Sequence, residues 1–377
     1  MLDLDPLPPL EVPARLERLR AGLPAAGIEA LLVTSLTNVR YLTGFTGSAG
    51  LVLVTAHDAV LVTDGRYGDQ ATGELSASGA SARVAVGRSV ALQREQLADL
   101  VRQLSTLGLE AATVSWADQR ALAAAVAPTL VPTTGLVESL RAVKDEGEVA
   151  RIEAACDIAS EALALVFGLT DSEPTEEEFA WALEAEMRRL GASGPSFATI
   201  VGTGHNSALP HHRADATRLR GGDLLVLDYG CIVDGYASDM TRTAVVGSTA
   251  ATPWQRELID VATAAQADGV AAVRPGLTGA DIDRVCRASI AAAGLGDLFT
   301  HGTGHGVGLQ IHEAPWVLST SADVLQPGNV ITVEPGVYRI GLGGVRVEDT
   351  VLVTADGCRP LTKTPKDLAC LRSPRTT

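Results

Sequence analysis

The chain has 377 residues, with 45 acidic against 30 basic side chains and a net charge of -15. That balance excludes a nucleic-acid binder, which needs a basic surface to displace counterions, and at 4% aromatic residues there is little material for a base-stacking platform. No apolar run approaches the ~20 residues of a membrane span, and roughly 100–200 residues per domain predicts two domains.

The N-terminus, MLDLDPLPPLEVP, is acidic and Pro-rich and does not read as a signal peptide. Five cysteines without a CxxC pair read as free thiols in a reducing cytoplasm. Leu16, Leu19 and Leu23 predict a helix over 14–27. Residues 30–34 form a short buried strand. Two apolar runs, 50–56 and 59–63, flank a turn at His57-Asp58. Residues 89–107 read as a helix, and this α/β unit ends near 132–135. A long amphipathic helix follows from about Lys144 to just before Asp171. Its apolar face is Val149, Ile152, Cys156, Ala159, Leu163 and Val166. A further helix over 175–190 opens on Thr175 and Glu178, the capping-box spacing. After residue 195 the chain turns to Gly-rich loops and short strands. The expected architecture is an α/β domain, residues 1–138, followed by an α+β domain, residues 139–377.

Three clusters in the second domain carry chemistry. Leu224–Tyr229 is an apolar strand ending in Asp228, Asp234-Gly235 supplies a turn, and 236–243 returns. A two-residue turn makes cross-strand partners sum to 469. Asp239 then faces Gly230, and Asp228 lies diagonally on the same face, within reach of a shared cation. Read alone, the pair also fits two edge-strand acids in solvent. The second cluster is HGTGHGVGLQIHEAP, with His301, His305 and His312 on glycines that let the backbone approach a ligand. It lacks the features of a phosphate loop. The third is a second acid-bearing hairpin. Val330–Val333 runs into Glu334, glycines near 341 turn the chain, and Glu348 returns. An odd loop centred on Gly341 puts Glu334 and Glu348 opposite each other. Four carboxylates and one imidazole suit Mn²⁺, Co²⁺, Fe²⁺ or Zn²⁺. Five ligands exceed one open zinc site and fit two ions sharing carboxylates.

The pieces LDYG, SDMTRT, HGTGHGVGLQIHEAP, VEPGVY and GGVRVEDT resemble the pita-bread metallopeptidases (M24), the family of methionine aminopeptidase, prolidase and aminopeptidase P. NVRYLTGF, GSAG and TDGRY resemble the creatinase-type N-terminal domain of its proline-specific members. The resemblance implies that Asp228, Asp239, His305, Glu334 and Glu348 hold two divalent metal ions, most simply Mn²⁺. It further implies that Glu334 is a general base and that His211 and His301 flank the substrate. His312 would serve the scissile carbonyl or a proton shuttle, and Arg346 would orient an active-site carboxylate. His212 matches more weakly. The implied reaction is hydrolysis of Xaa-Pro bonds next to a free N-terminus, with proline-containing peptides as substrates. The first reading is an Xaa-Pro aminopeptidase and the alternative an Xaa-Pro dipeptidase, which needs a grip for a free carboxylate; Arg339 is a candidate for that grip. A creatinase-like enzyme or a non-catalytic binding protein on the same scaffold is the remote alternative. The architecture also implies a homodimer, and Tyr41 and Arg66 are candidates to reach substrate.

Overall fold

The computed structural model describes residues 7–372, which form two compact units, one of residues 9–141 and one of residues 142–372 together with 7–8.

The N-terminal unit is an α/β domain. Its elements are α1 (Val12–Gly22), β1 (Ala30–Val33), α2 (Leu36–Thr43), β2 (Gly50–Thr55), β3 (Ala59–Thr63), α3 (Gly68–Ser78), β4 (Arg83–Val86), α4 (Val90–Val101), β5 (Thr106–Glu110), α5 (Trp116–Ala125), β6 (Thr129–Thr133) and α6 (Glu138–Ala142). The sheet order is β4-β3-β2-β1-β5-β6. β2 runs antiparallel to both its neighbours, and β1, β5 and β6 are parallel. The expected 50–63 hairpin forms in register, Val54 opposite Ala59. Two predicted helices are shortened. α1 stops at Gly22 because Pro24 cannot continue the hydrogen-bond ladder. The 89–107 pattern is cut at Val101. There Leu107 and Leu109 alternate with Gly108, pair in parallel with β1 and bury beside Leu32 and Leu97. Tertiary pairing overrides the helical periodicity at that point. Tyr41 is a core residue, 1% exposed, under the Arg15 guanidinium. Arg66 is ion-paired to Asp64.

The second unit opens with α7 (Glu146–Val166) and α8 (Glu176–Leu190). Both begin with reciprocal capping boxes, Asp145 with Glu148 and Thr175 with Glu178, which satisfy the first orphan amides of each helix. α7 starts two residues later than Lys144, whose ammonium is 0% exposed and bonded to Glu313. Strands β7 (Gly194–Pro195), β8 (Ile200–Thr203), β9 (Leu224–Tyr229), β10 (Cys231–Val233), β11 (Tyr236–Ala237) and β12 (Met240–Val245) follow. α9 (Pro253–Ala272) and α10 (Gly279–Ala292) pack together. The chain ends in β13 (Gly304–Gly306), β14 (Glu313–Val317), β15 (Val330–Val333), β16 (Gly336–Arg339), β17 (Gly343–Arg346), β18 (Asp349–Val353) and β19 (Cys358–Pro360). These strands form an antiparallel β12-β9-β8 sheet, a five-stranded β14-β13-β15-β18-β19 sheet, the β16-β17 ribbon and a small β11-β10-β7 sheet. Leu258, Ala262, Ile282, Cys286 and Ile290 of α9 and α10 bury against Ile331, Val333 and Val351. The helices thus back the strands that carry the acids. Among the described residues no helix is long and apolar enough to cross a membrane.

Candidate active site

The first hairpin has the register its turn dictates. Met240 pairs with Tyr229 and Thr241 with Asp228, while Val233 pairs with Tyr236 across the turn. Four buried apolar residues, Leu224–Leu227, pin β9 in the core and leave Asp228 at its end. Asp239 sits just before β12 and is 5% exposed.

The second hairpin also keeps the expected register, Val333 opposite Asp349 and Gly336 opposite Arg346. It is not one ladder, however. β15 and β18 belong to the five-stranded sheet, and β16 and β17 form a separate ribbon. Glu334 and Glu348 occupy the changeover. Pro335 has no amide to donate, so the ladder breaks there. The Glu334 amide goes to the Thr303 carbonyl and the Glu348 amide to that of Thr241. Both glutamates are therefore held by neighbouring strands from the other two clusters.

His305 lies in the middle of β13. A Cβ on Gly304 would stand 2.1 Å from the Thr332 carbonyl oxygen, and one on Gly306 2.3 Å from that of Ala314. Only glycine lets this strand sit so close to its neighbours. The imidazole gives Nδ1–H to the Gly306 carbonyl at 3.0 Å. Nε2 then presents a lone pair to Asp239 Oδ2 at 3.5 Å and Glu334 Oε1 at 3.4 Å.

Carboxylate oxygens of Asp228, Asp239 and Glu348 lie within 4.8 Å of one another, and Glu334 joins them through His305. Burial, then repulsion from Glu348, Asp228 and Glu334, pushes the Asp239 carboxyl well above its ordinary value. Burial, then repulsion from Glu334 and Asp228, does the same to Glu348. Burial raises Glu334 to about 7 against the pull of Arg346, and lowers His305 to about 4. Asp228 Oδ1 and Glu348 Oε1 are buried without a hydrogen-bond partner. Buried oxygens with nothing to accept from, beside a neutral imidazole lone pair, need a cation among them. The donor set, four carboxylates and one nitrogen, fits divalent metal.

Around this centre lies a cleft of about 520 Å³ that His211, His301, His312 and Arg346 also line. Arg346 is 3% exposed. It donates to Asp228 at 2.6 Å, to the Tyr338 hydroxyl at 2.9 Å and to Thr241 Oγ1 at 3.0 Å. Thr241 in turn donates to Glu348 at 2.7 Å. One guanidinium thus orients two of the acids. His301 gives Nδ1–H to the Gly302 carbonyl and accepts at Nε2 from Tyr338. Burial, then the Arg346 charge, lowers it to about 4, so it is neutral. His312 stands edge-on to His305, ring centroids 4.4 Å apart, and burial lowers its pKa as well. His212 also borders the cleft, and its Nε2 meets Glu176 Oε2 at 2.7 Å. Arg339 pairs with Glu257 and does not line the cleft. Tyr338 and Thr241 link these groups without having been singled out in the sequence, although both fall inside the quoted VEPGVY and SDMTRT pieces. The cleft wall of Phe197, Ile200, Trp316 and Leu318 had no sequence signal, because its residues come from separate segments.

Residues 150–355 match metallopeptidase family M24, and residues 15–143 match the creatinase/prolidase N-terminal domain. The chain belongs to metallopeptidase family M24. It is 35% identical to an Xaa-Pro dipeptidase of Pyrococcus furiosus over 94% of this chain and 99% of that protein. Among solved structures it is similar to an Xaa-Pro dipeptidase from Bacillus anthracis, at 37% identity and TM-score 0.89, covering 95% of this chain and 99% of that one. It is also similar to an X-Pro aminopeptidase from Thermotoga maritima, at 32% identity and TM-score 0.82, covering 94% and 99%. The fold is accordingly a creatinase-type N-terminal domain followed by the pita-bread catalytic domain of the family, and the protein is a hydrolase.

Proposed function

We propose that the protein is an Xaa-Pro dipeptidase whose centre holds two divalent ions, with Mn²⁺ the first metal to test. The observation that carries the metal centre is the pair of orphaned oxygens on Asp228 and Glu348 facing Asp239 and the His305 lone pair. Asp228 and Asp239 would hold one ion, His305 and Glu334 the other, with Asp239 and Glu348 between them. Bound there, the ions supply Lewis acidity toward the scissile carbonyl and make water nucleophilic at neutral pH.

The chain's own residues do the rest. Glu334, lining the cleft beside His305, would take a proton from the attacking water and return it to the leaving nitrogen. Arg346 aims Asp228, donating to its Oδ2 at 2.6 Å. His312, beside His305 and half-exposed to the cleft, is placed to hydrogen-bond the carbonyl oxygen as negative charge develops. His301, held by Tyr338, and His211 shape the two sides of the bound peptide. The wall of Phe197, Ile200, Trp316 and Leu318 suits an apolar pyrrolidine ring.

The sequence alone put the aminopeptidase reading first. The dipeptidases matched over nearly the full chain support the alternative, and the aminopeptidase of Thermotoga maritima keeps the first reading as the second choice. Steady-state assays on Mn²⁺-loaded protein separate them. A dipeptidase cleaves Xaa-Pro with a higher kcat/KM than Xaa-Pro-Xaa, whereas faster tripeptide turnover restores the aminopeptidase. The homodimer belongs to the same proposal, and light scattering tests it.

A further inference from the structure

The face that α10 turns to the strands is aliphatic, with Ile282, Cys286 and Ile290 in the core. One charged pair interrupts it. Asp283 is 0% exposed and meets Arg287 one turn on, which donates from Nε to Oδ2 at 2.6 Å and from Nη2 to Oδ1 at 3.1 Å. A largely buried ion pair adds little net stability compared with two aliphatic side chains. The other bonds described for this pair go to residues 299–303. Arg287 donates to the Phe299 carbonyl at 3.2 Å and to that of His301, and its Cζ sits 4.4 Å over the Phe299 ring. Asp283 Oδ1 takes the Thr303 hydroxyl at 2.9 Å and the Thr303 amide at 3.1 Å, an amide shared with the Val317 carbonyl. Alternate residues of this segment are thus fastened to a rigid helix.

The segment leads directly into the metal centre. The Thr303 carbonyl receives the Glu334 amide at 2.8 Å. Two residues on, the His305 amide donates to Thr332 Oγ1 at 3.1 Å, and the same hydroxyl donates to Glu334 Oε1 at 3.2 Å. The positions of His305 and Glu334 therefore follow that of Thr303. Asp228 and Glu348 are held by other means, the Arg346 guanidinium and Thr241 of β12. The two halves of the centre have separate supports, and groups that orient metal ligands govern metal affinity.

We propose that the Asp283–Arg287 pair is a positioning device for the His305–Glu334 half of the centre, so that breaking it weakens one ion position and spares the other. The inference rests on the two-ion reading above. The test titrates Mn²⁺ calorimetrically into chelator-treated, full-length wild type, Asp283→Asn, and a double variant combining Asp283→Leu with Arg287→Met. Asp283→Asn keeps an oxygen for Thr303 but turns the other arm into a donor facing Arg287, which releases the grip on Phe299 and His301. The double variant replaces the pair with an apolar one and should keep the wild-type urea midpoint. In both, one ion should bind about 10- to 100-fold more weakly and the other within about threefold of wild type. Excess Mn²⁺ should restore kcat, because neither side chain lines the cleft. A variant that stays folded by urea unfolding and binds both ions as the wild type does overturns the proposal. So does one that loses both ions equally. If the wild type itself binds one ion or none, the two-ion reading fails instead.

Discussion

Stripping the centre of metal should make the stability of the catalytic domain fall as pH rises. Glu334 is raised from an ordinary 4.5 to about 7 by burial, so the folded, ion-free protein holds that proton more tightly than the unfolded chain. The stabilisation is fully present below pH ~4.5 and is lost as pH climbs through about 7. At 1.36 kcal/mol for each tenfold difference, the change from 4.5 to about 7 corresponds to about 3 kcal/mol from this group. Asp239 and Glu348 shift in the same direction and steepen the slope. Ions at a hundred times their dissociation constant should each return about 2.7 kcal/mol and reverse the trend, because binding requires the acids ionised. The assay is urea unfolding of chelator-treated protein from pH 4.5 to 8, with and without Mn²⁺, followed by tryptophan fluorescence. Glu334→Gln should flatten part of the ion-free slope. An ion-free protein whose stability is flat or rising across that window would refute the crowded-carboxylate account.

Three other outcomes follow from particular contacts. Glu334→Ala should abolish turnover and lower bound metal by elemental analysis; an active, metal-replete variant refutes both roles assigned to it. Lys144→Met removes the ammonium that meets the buried Glu313 carboxylate, the pair being 0% and 5% exposed, and should cost roughly 3–5 kcal/mol in urea unfolding; Lys144→Met with Glu313→Leu should recover most of it. Gly304→Ala places a Cβ 2.1 Å from the Thr332 carbonyl and should prevent His305 from docking, seen as a loss of soluble protein or of bound metal. A folded variant with full metal content would show that β13 can yield.

Local sequence determined a good deal of this protein. Strand composition and turn residues were enough to set both hairpin registers, because a two-residue turn at Asp234-Gly235 and a loop centred on Gly341 each leave one way to pair the flanking apolar runs. Capping boxes at Asp145 and Thr175 likewise announced α7 and α8. What sequence could not decide were features owned by more than one segment. The pattern over 89–107 is helical on its own terms, and only parallel pairing with β1 turns Leu107 and Leu109 into a strand. Arg339 and Arg213 look alike as isolated cations. Folding gives one to Glu257 outside the cleft and leaves the other facing it. The acids, too, are merely strand-end carboxylates until three sheets converge and bury them together. Spacing along a chain reports neighbours within a few residues, whereas burial and electrostatic crowding depend on who arrives from elsewhere.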